Sequence, residues 1–214
     1  MTSYHSHKLY EIWDQVPVTY YQDGVRKNPL QRIWHGIKAN TAVNILKQKK
    51  FKNLLDVGCA SGHMISRVSR SFPGVSCTGL DVYDKAIKYA KATYPNIRFR
   101  IGDAHKLPFK NNSFDAIICY ETIEHVEHPA AVLRELKRVL KPGGRIILAM
   151  DSGNWLFRIV WAIWERSRGA VWQHAHLHPF THNELESLIK KSGLTVQSKR
   201  FTHLGMEVVF VLSS

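Results

Sequence analysis

The run Leu54-Leu55-Asp56-Val57-Gly58-Cys59-Ala60-Ser61-Gly62 constrains this chain more than any other segment. A short apolar stretch breaks into a glycine-containing turn, and a helical pattern opens at once with Met64-Ile65-Ser66-Arg67-Val68. That is the pattern of a buried strand feeding a helix, the repeating unit of a parallel α/β sheet. In such sheets, ligands sit at the carboxyl ends of the strands. Gly58 and Gly62 lack a Cβ, so a ligand can approach the backbone there. Three further predicted strands end alike. Val75–Leu80 runs into Asp81, Ile97–Ile101 into Gly102-Asp103-Ala104, and Phe114–Cys119 into Tyr120-Glu121. One ligand could lie across all four ends.

The length, 214 residues, suits one domain spanning 1–214. The excess of lysine and arginine gives a formal charge of +13, spread along the chain rather than gathered in a run. A basic surface is compatible with an anionic membrane, an anionic substrate or nucleic acid, or with simple solvation. Cys59, Cys77 and Cys119 fall on or beside predicted buried strands, which suits a reducing cytoplasm. The first fifteen residues have no continuous apolar core, and no run is long enough to span a bilayer. The expected location is cytoplasmic, with peripheral membrane contact as an option.

Residues 1–29 read as aromatic and irregular, with turns at Asp23-Gly24 and Asn28-Pro29. Apolar residues then recur at helical spacing from Leu30 to Lys50. Strands alternate with helices through residues 51–150, the helix Ala130–Leu140 stopping before Lys141-Pro142-Gly143-Gly144, and strand Arg145–Met150 following. Residues 151–180 form an insertion. A helix follows, with Thr181 and Glu184 as its capping box and Gly193 as its stop. Strands at Thr195–Phe201 and Met206–Leu212 form a terminal hairpin turning at Leu204-Gly205.

The segments LLDVGCASG, GLDVYDKAI, IGDAHKLPF, FDAIICYETIEHV and RVLKPGGRIIL, with a weaker match in HLHPFTHNELESLIKKSGL, resemble the class I S-adenosylmethionine (SAM) dependent methyltransferases. Closest in pattern is the small-molecule group that includes quinone-biosynthesis enzymes. One departure is Ala60, where the family usually has glycine. The resemblance implies a Rossmann-like seven-stranded sheet, order 3-2-1-4-5-7-6 with strand 7 antiparallel, and SAM as cofactor. It implies that Asp56, Gly58, Cys59 and Gly62 surround the methionine and ribose. Asp81 would accept from the ribose hydroxyls, Asp103 from the adenine amino group, and the Ala104 N–H would donate to the ring. Val82 and Leu107 would sandwich the adenine. Tyr120 and Tyr21 join the cofactor set, and Tyr20 and Trp34 are expected to close over it with Tyr21.

For chemistry, the protein has mainly to align a nucleophile with the methyl group and exclude water. His125 and His176 are the candidate catalytic bases. Glu121, Glu124 and His125 could hold a divalent metal, as in some quinone O-methyltransferases, but the pattern also serves structure in metal-free relatives. No metal is expected, there or at the alternating His174, His176 and His178. Residues 154–172 carry four of the six tryptophans among arginines. They read as a lid over an apolar or amphiphilic small-molecule acceptor, as a contact with an anionic membrane surface, or as a packed or dimer-forming helix in a monomer or homodimer. The rivals are an RNA methyltransferase, a non-catalytic SAM-binding subunit and a nicotinamide dehydrogenase, the last disfavoured by the terminal hairpin. Nucleic acid is disfavoured because strand four lacks the Asn/Asp-Pro-Pro-Tyr element of base-amino methylases.

Overall fold

The computed structural model describes residues 10–166, 177, 178 and 180–214. Its centre is β1 (Asn53–Val57), whose continuous apolar run leaves four of five residues buried, because parallel neighbours cover both edges. β2 (Ser76–Asp81), β3 (Arg98–Ile101), β4 (Phe114–Tyr120) and β5 (Leu140–Asp151) extend the parallel sheet. β6 (Thr195–Thr202) and β7 (Glu207–Ser213) close it antiparallel. The seven strands run β3-β2-β1-β4-β5-β7-β6, the expected order. The order reverses between β1 and β4, which opens a crevice at their carboxyl ends.

Helices cover both faces: α1 (Tyr20–Lys27), α2 (Pro29–Leu46), α3 (His63–Ser69), α4 (Asp84–Thr93), α5 (Pro129–Val139), α6 (Trp155–Glu165) and α7 (His182–Lys191). Strand alternation sorts the core into two layers. Leu55, Val57, Ile117, Leu148 and Phe210 face Val132, Leu136, Leu185 and Ile189. Leu54, Ile118, Ile147 and Val209 face Ile45, Leu46, Ile65, Ile87 and Ala90. The capping box of α7 forms as read: Thr181 Oγ1 accepts from Glu184 N at 3.3 Å, and Thr181 N donates to Glu184 Oε2 at 2.7 Å.

Three local expectations are corrected. The N-terminal segment is not irregular throughout, because α1 runs straight through Asp23-Gly24. Gly24 serves close packing there: a Cβ on it would fall 1.7 Å from Gln31 Oε1 of α2. Asn28 is no simple turn residue but the N-cap of α2, its Oδ1 accepting from Leu30 N at 2.9 Å, with Pro29 at the first helical position. β5 begins earlier than expected. Its register jumps from Phe114–Leu140 to Ala116–Arg145, so Lys141–Gly144 bulges out of the ladder.

Phe210 is the largest fully buried side chain of the antiparallel end. Phe210→Ala should cost about 3–5 kcal/mol, measured by urea denaturation. A loss under about 1 kcal/mol would show that this end adds little to the core.

Candidate functional site

A cavity of about 700 Å³ opens across the carboxyl ends of β1 to β4. That is within the range of small-molecule sites, about 300–1,000 Å³. A second, of about 110 Å³, lies at the amino ends beside Lys49, Lys141 and Gly143. Asp56, Gly58, Cys59, Asp81, Val82, Asp103, Ala104, Tyr120, Tyr21 and His125 all line the large cavity. His176 lies outside the described residues, as do His174 and Trp172.

The loop after β1 sets the cavity floor. Gly58 holds φ +75°, and a Cβ there would fall 2.1 Å from Thr122 Oγ1. Glycine therefore lets the turn after β4 pack onto this loop. Ala60 keeps φ +44°, the left-handed conformation a glycine would adopt at lower cost. Its N–H is fixed by the Asp81 carboxylate, Oδ2 accepting at 2.7 Å, while Oδ1 accepts from Tyr83 N at 2.9 Å. Asp81 is thus a structural clasp as well as a polar wall of the cavity. Gly62 is not part of that wall. A Cβ on it would meet the Phe99 ring at 2.8 Å, so it admits β3 against α3 instead. Leu107 is also displaced from its expected place. It is 3% exposed in the core, its N–H held by Glu135 at 2.7 Å.

Electrostatics single out two acids. Asp56 is 2% exposed, and its Oδ2 has no hydrogen-bond partner. Burial, and then the Asp81 charge, push its pKa up to about 8. A buried, unpaired acceptor on a cavity wall suits a cationic ligand group. Asp103 is more open. Its Oδ1 accepts from His105 N at 2.8 Å and lies 2.6 Å from His105 Nδ1. His128 N donates to His105 Nε2 at 3.1 Å, which places the His105 proton on Nδ1, facing Asp103.

The sequence did not mark several wall residues. Lys38 of α2 is buried, with ion pairs to Glu121 at 3.2 Å and Glu207 at 3.3 Å. Burial acts to lower its pKa, but Glu121, Glu207 and Asp151 more than offset this and hold the ammonium charged. His35 and His63 pack edge to face at 5.9 Å. Burial first, then nearby cations, pushes them down to about 3 and about 4, so both are neutral. Tyr10 and Trp13 also line the cavity and pack on Tyr83. Tyr20 and Tyr21 belong to the wall, and burial lifts the Tyr21 phenol to about 12. Trp34 does not join them. It stacks on His203 at the β6–β7 turn, ring centroids 3.9 Å apart. Among the described residues, no three His, Cys, Asp or Glu side chains are placed to hold one metal ion.

Two outcomes follow from this geometry. An ordinary Asp carboxyl titrates near 3.8, and burial lifts that of Asp56 to about 8 in the folded protein. The folded state therefore favours its protonated form. That stability is fully present below about pH 4 and is lost as pH rises through 8. Asp56→Asn should raise the melting temperature by several degrees near pH 8.5, and by roughly a third as much near pH 5. Equal shifts at both pH values would contradict the raised pKa. Gly62→Ala should lose about 1–3 kcal/mol through its positive φ and the Phe99 clash. A neutral result in urea denaturation would contradict the packing role.

Comparisons with known proteins agree with the fold. Residues 55–148 match a family model described as a methyltransferase domain. The chain is 31% identical over 176 residues to a ubiquinone biosynthesis O-methyltransferase of Paracidovorax citrulli, covering 78% of this chain and 66% of that protein. It is 30% identical over 134 residues to a demethylmenaquinone methyltransferase of Chlorobaculum tepidum, covering 62% and 55%. It spans about half the length of the curated relatives it matches. A SAM-dependent methyltransferase structure from Thermotoga maritima, described as a possible histamine N-methyltransferase, superposes with a TM-score of 0.69 at 20% identity, covering 96% of this chain and 99% of that one. Residues 55–148 of the chain are a methyltransferase domain, set in the fold of the SAM-dependent methyltransferases.

Proposed function

We propose that this chain methylates a small, apolar or amphiphilic acceptor by direct in-line transfer from SAM. The observation that carries the reading is one cavity that collects acidic side chains from the ends of β1, β2 and β3 in a row. SAM supplies a methyl group on a cationic sulfonium. Asp81 offers its remaining lone pairs to the ribose hydroxyls. The Asp103 carboxylate and the Ala104 N–H recognise the adenine edge, with Val82, 46% exposed, as an apolar face. The unpaired Asp56 side chain, with Gly58 and Cys59 beside it, receives the methionine ammonium, whose charge draws the acid into its carboxylate form. Tyr120 and Tyr21 complete the wall. Tyr10 and Trp13 shield the cavity from water where they pack on Tyr83.

The acceptor reading rests on volume and on α6. A cavity of about 700 Å³ leaves room beside a cofactor of this size. Several apolar residues of α6 point to solvent, Trp155 73%, Ile159 51% and Ile163 63% exposed. No described residue of α6 lines the cavity, which favours an anionic lipid surface over a lid. The β6–β7 turn lies against α6, since Asn154 Nδ2 donates to Gly205 O at 2.7 Å, and it adds Leu204 at 89% exposure. Exposed Arg158 and Arg166 supply positive charge. No described helix is long and apolar enough to cross a membrane.

Incubation with methyl-labelled SAM should place label on small phenols, amines or lipid-soluble acceptors, and activity should persist in excess EDTA. Label confined to RNA would overturn the reading. Binding to anionic vesicles should fall with salt, each basic residue near the surface contributing about 1 kcal/mol. Trp155→Ser with Ile163→Ser should weaken that binding at least tenfold and spare SAM binding. Equal pelleting with neutral and anionic vesicles in low salt would remove the membrane from the account.

A further inference from the structure

At the end of β4 the chain does something costly. Glu121 adopts φ +49°, a left-handed conformation rarely taken by a side-chain-bearing residue. Its N–H donates to Ala149 O at 2.9 Å, and Lys38 Nζ stands 3.2 Å from its Oε1. Lys38 is itself locked, because its second carboxylate, Glu207, is fully buried. The Glu121 side chain is nonetheless 30% exposed and lines the cavity. Strain and an ion pair thus hold one carboxylate toward a ligand space.

Next to it, Tyr120 lines the same cavity. Tyr120 is 8% exposed, and its hydroxyl has no hydrogen-bond partner. Buried phenols ordinarily find one. In the sheet order, β4 lies beyond β1 from β2 and β3, whose ends carry Asp81 and Asp103. The polar pair stands roughly 10 Å from the Asp81 end, two strand spacings away. Glu124, three residues on, is not part of the wall. Burial, and then the Glu121 charge, hold its carboxyl well above the usual range.

We propose that Glu121 is a catalytic residue that takes a proton from an acceptor bearing O–H or N–H at the methylated atom, and that the Tyr120 hydroxyl is its second anchor. The inference rests on the methyltransferase reading above. Lys38 is the positioning residue. In the step, a lone pair of the acceptor's oxygen or nitrogen forms the bond to the methyl carbon. The carbon–sulfur bond breaks with its electron pair left on sulfur, which becomes a neutral thioether. The acceptor's proton passes to a Glu121 carboxylate oxygen and from there to water. Acceptors without such a proton, thioethers for example, gain nothing from this arrangement.

The test needs no known acceptor. Sinefungin carries a protonated amine where SAM carries its methyl group, so it presents an N–H donor to the acceptor subsite. S-adenosylhomocysteine presents none. By calorimetry, the wild type should bind sinefungin at least tenfold more tightly than S-adenosylhomocysteine. Glu121→Gln should erase that preference and leave S-adenosylhomocysteine affinity within about threefold, with its thermal transition checked alongside. Tyr120→Phe, which breaks no internal hydrogen bond, should reduce the preference by at least threefold and carries the test if Glu121→Gln does not fold. A preference unchanged in the folded variants would overturn the proposal. If the wild type binds neither compound, the underlying methyltransferase reading fails instead.

Discussion

The Asp81 carboxylate is the contact on which the site depends. One oxygen holds the Ala60 N–H and the other the Tyr83 N–H. The loop after β1 and the turn after β2 are therefore one unit. Gly58 N and Cys59 N also donate to Leu80 O, at 2.9 and 3.1 Å, which ties the same loop to β2 a second time. A strained Ala60 survives because these contacts over-determine it. Were Asp81 replaced by a side chain without acceptors, two buried backbone donors would lose their partners at about 1–3 kcal/mol each. The cavity floor would then loosen before any ligand was involved.

A second constraint runs across the sheet. Lys38 joins α2 to the end of β4 through Glu121 and to the start of β7 through Glu207. Glu207 also meets His203 Nδ1 at 3.1 Å, and His203 Nε2 donates to Trp34 O at 3.0 Å. The network makes the terminal hairpin a wall support for the cavity rather than an appendage. Buried ion pairs of this kind add little net stability. Their effect here is positional, since they set where Glu121 points.

Much of this was legible in the sequence, for a physical reason. Parallel strands buried on both faces give continuous apolar runs, and each run in 51–150 ends in a glycine or an acid. Hence the strands and the residues at the sheet's carboxyl edge could be read directly, while the strand order came from the resemblance to the methyltransferases. The terminal helix was legible through Thr181 and Glu184, because a capping box is a local device. What escaped reading depends on distant partners. Gly24 looked like a turn, yet it is glycine because Gln31 packs on it. Gly62 looked like a ligand contact, yet Phe99 occupies that space. Lys38 carried no local mark, because its partner Glu207 arrives from β7, far along the chain. Trp34 was expected to close over the cofactor with Tyr20 and Tyr21, but its ring packs on His203.

The central claim is that the acidic strand ends form a SAM site. Calorimetric titration of the purified chain with SAM, S-adenosylhomocysteine and NAD tests it most directly. The account predicts one site per chain for SAM and its demethylated product, with low-micromolar or tighter affinity, at least tenfold weaker in Asp103→Ala, and no measurable NAD binding. Absence of SAM binding by the folded wild type, or a preference for NAD, would contradict it.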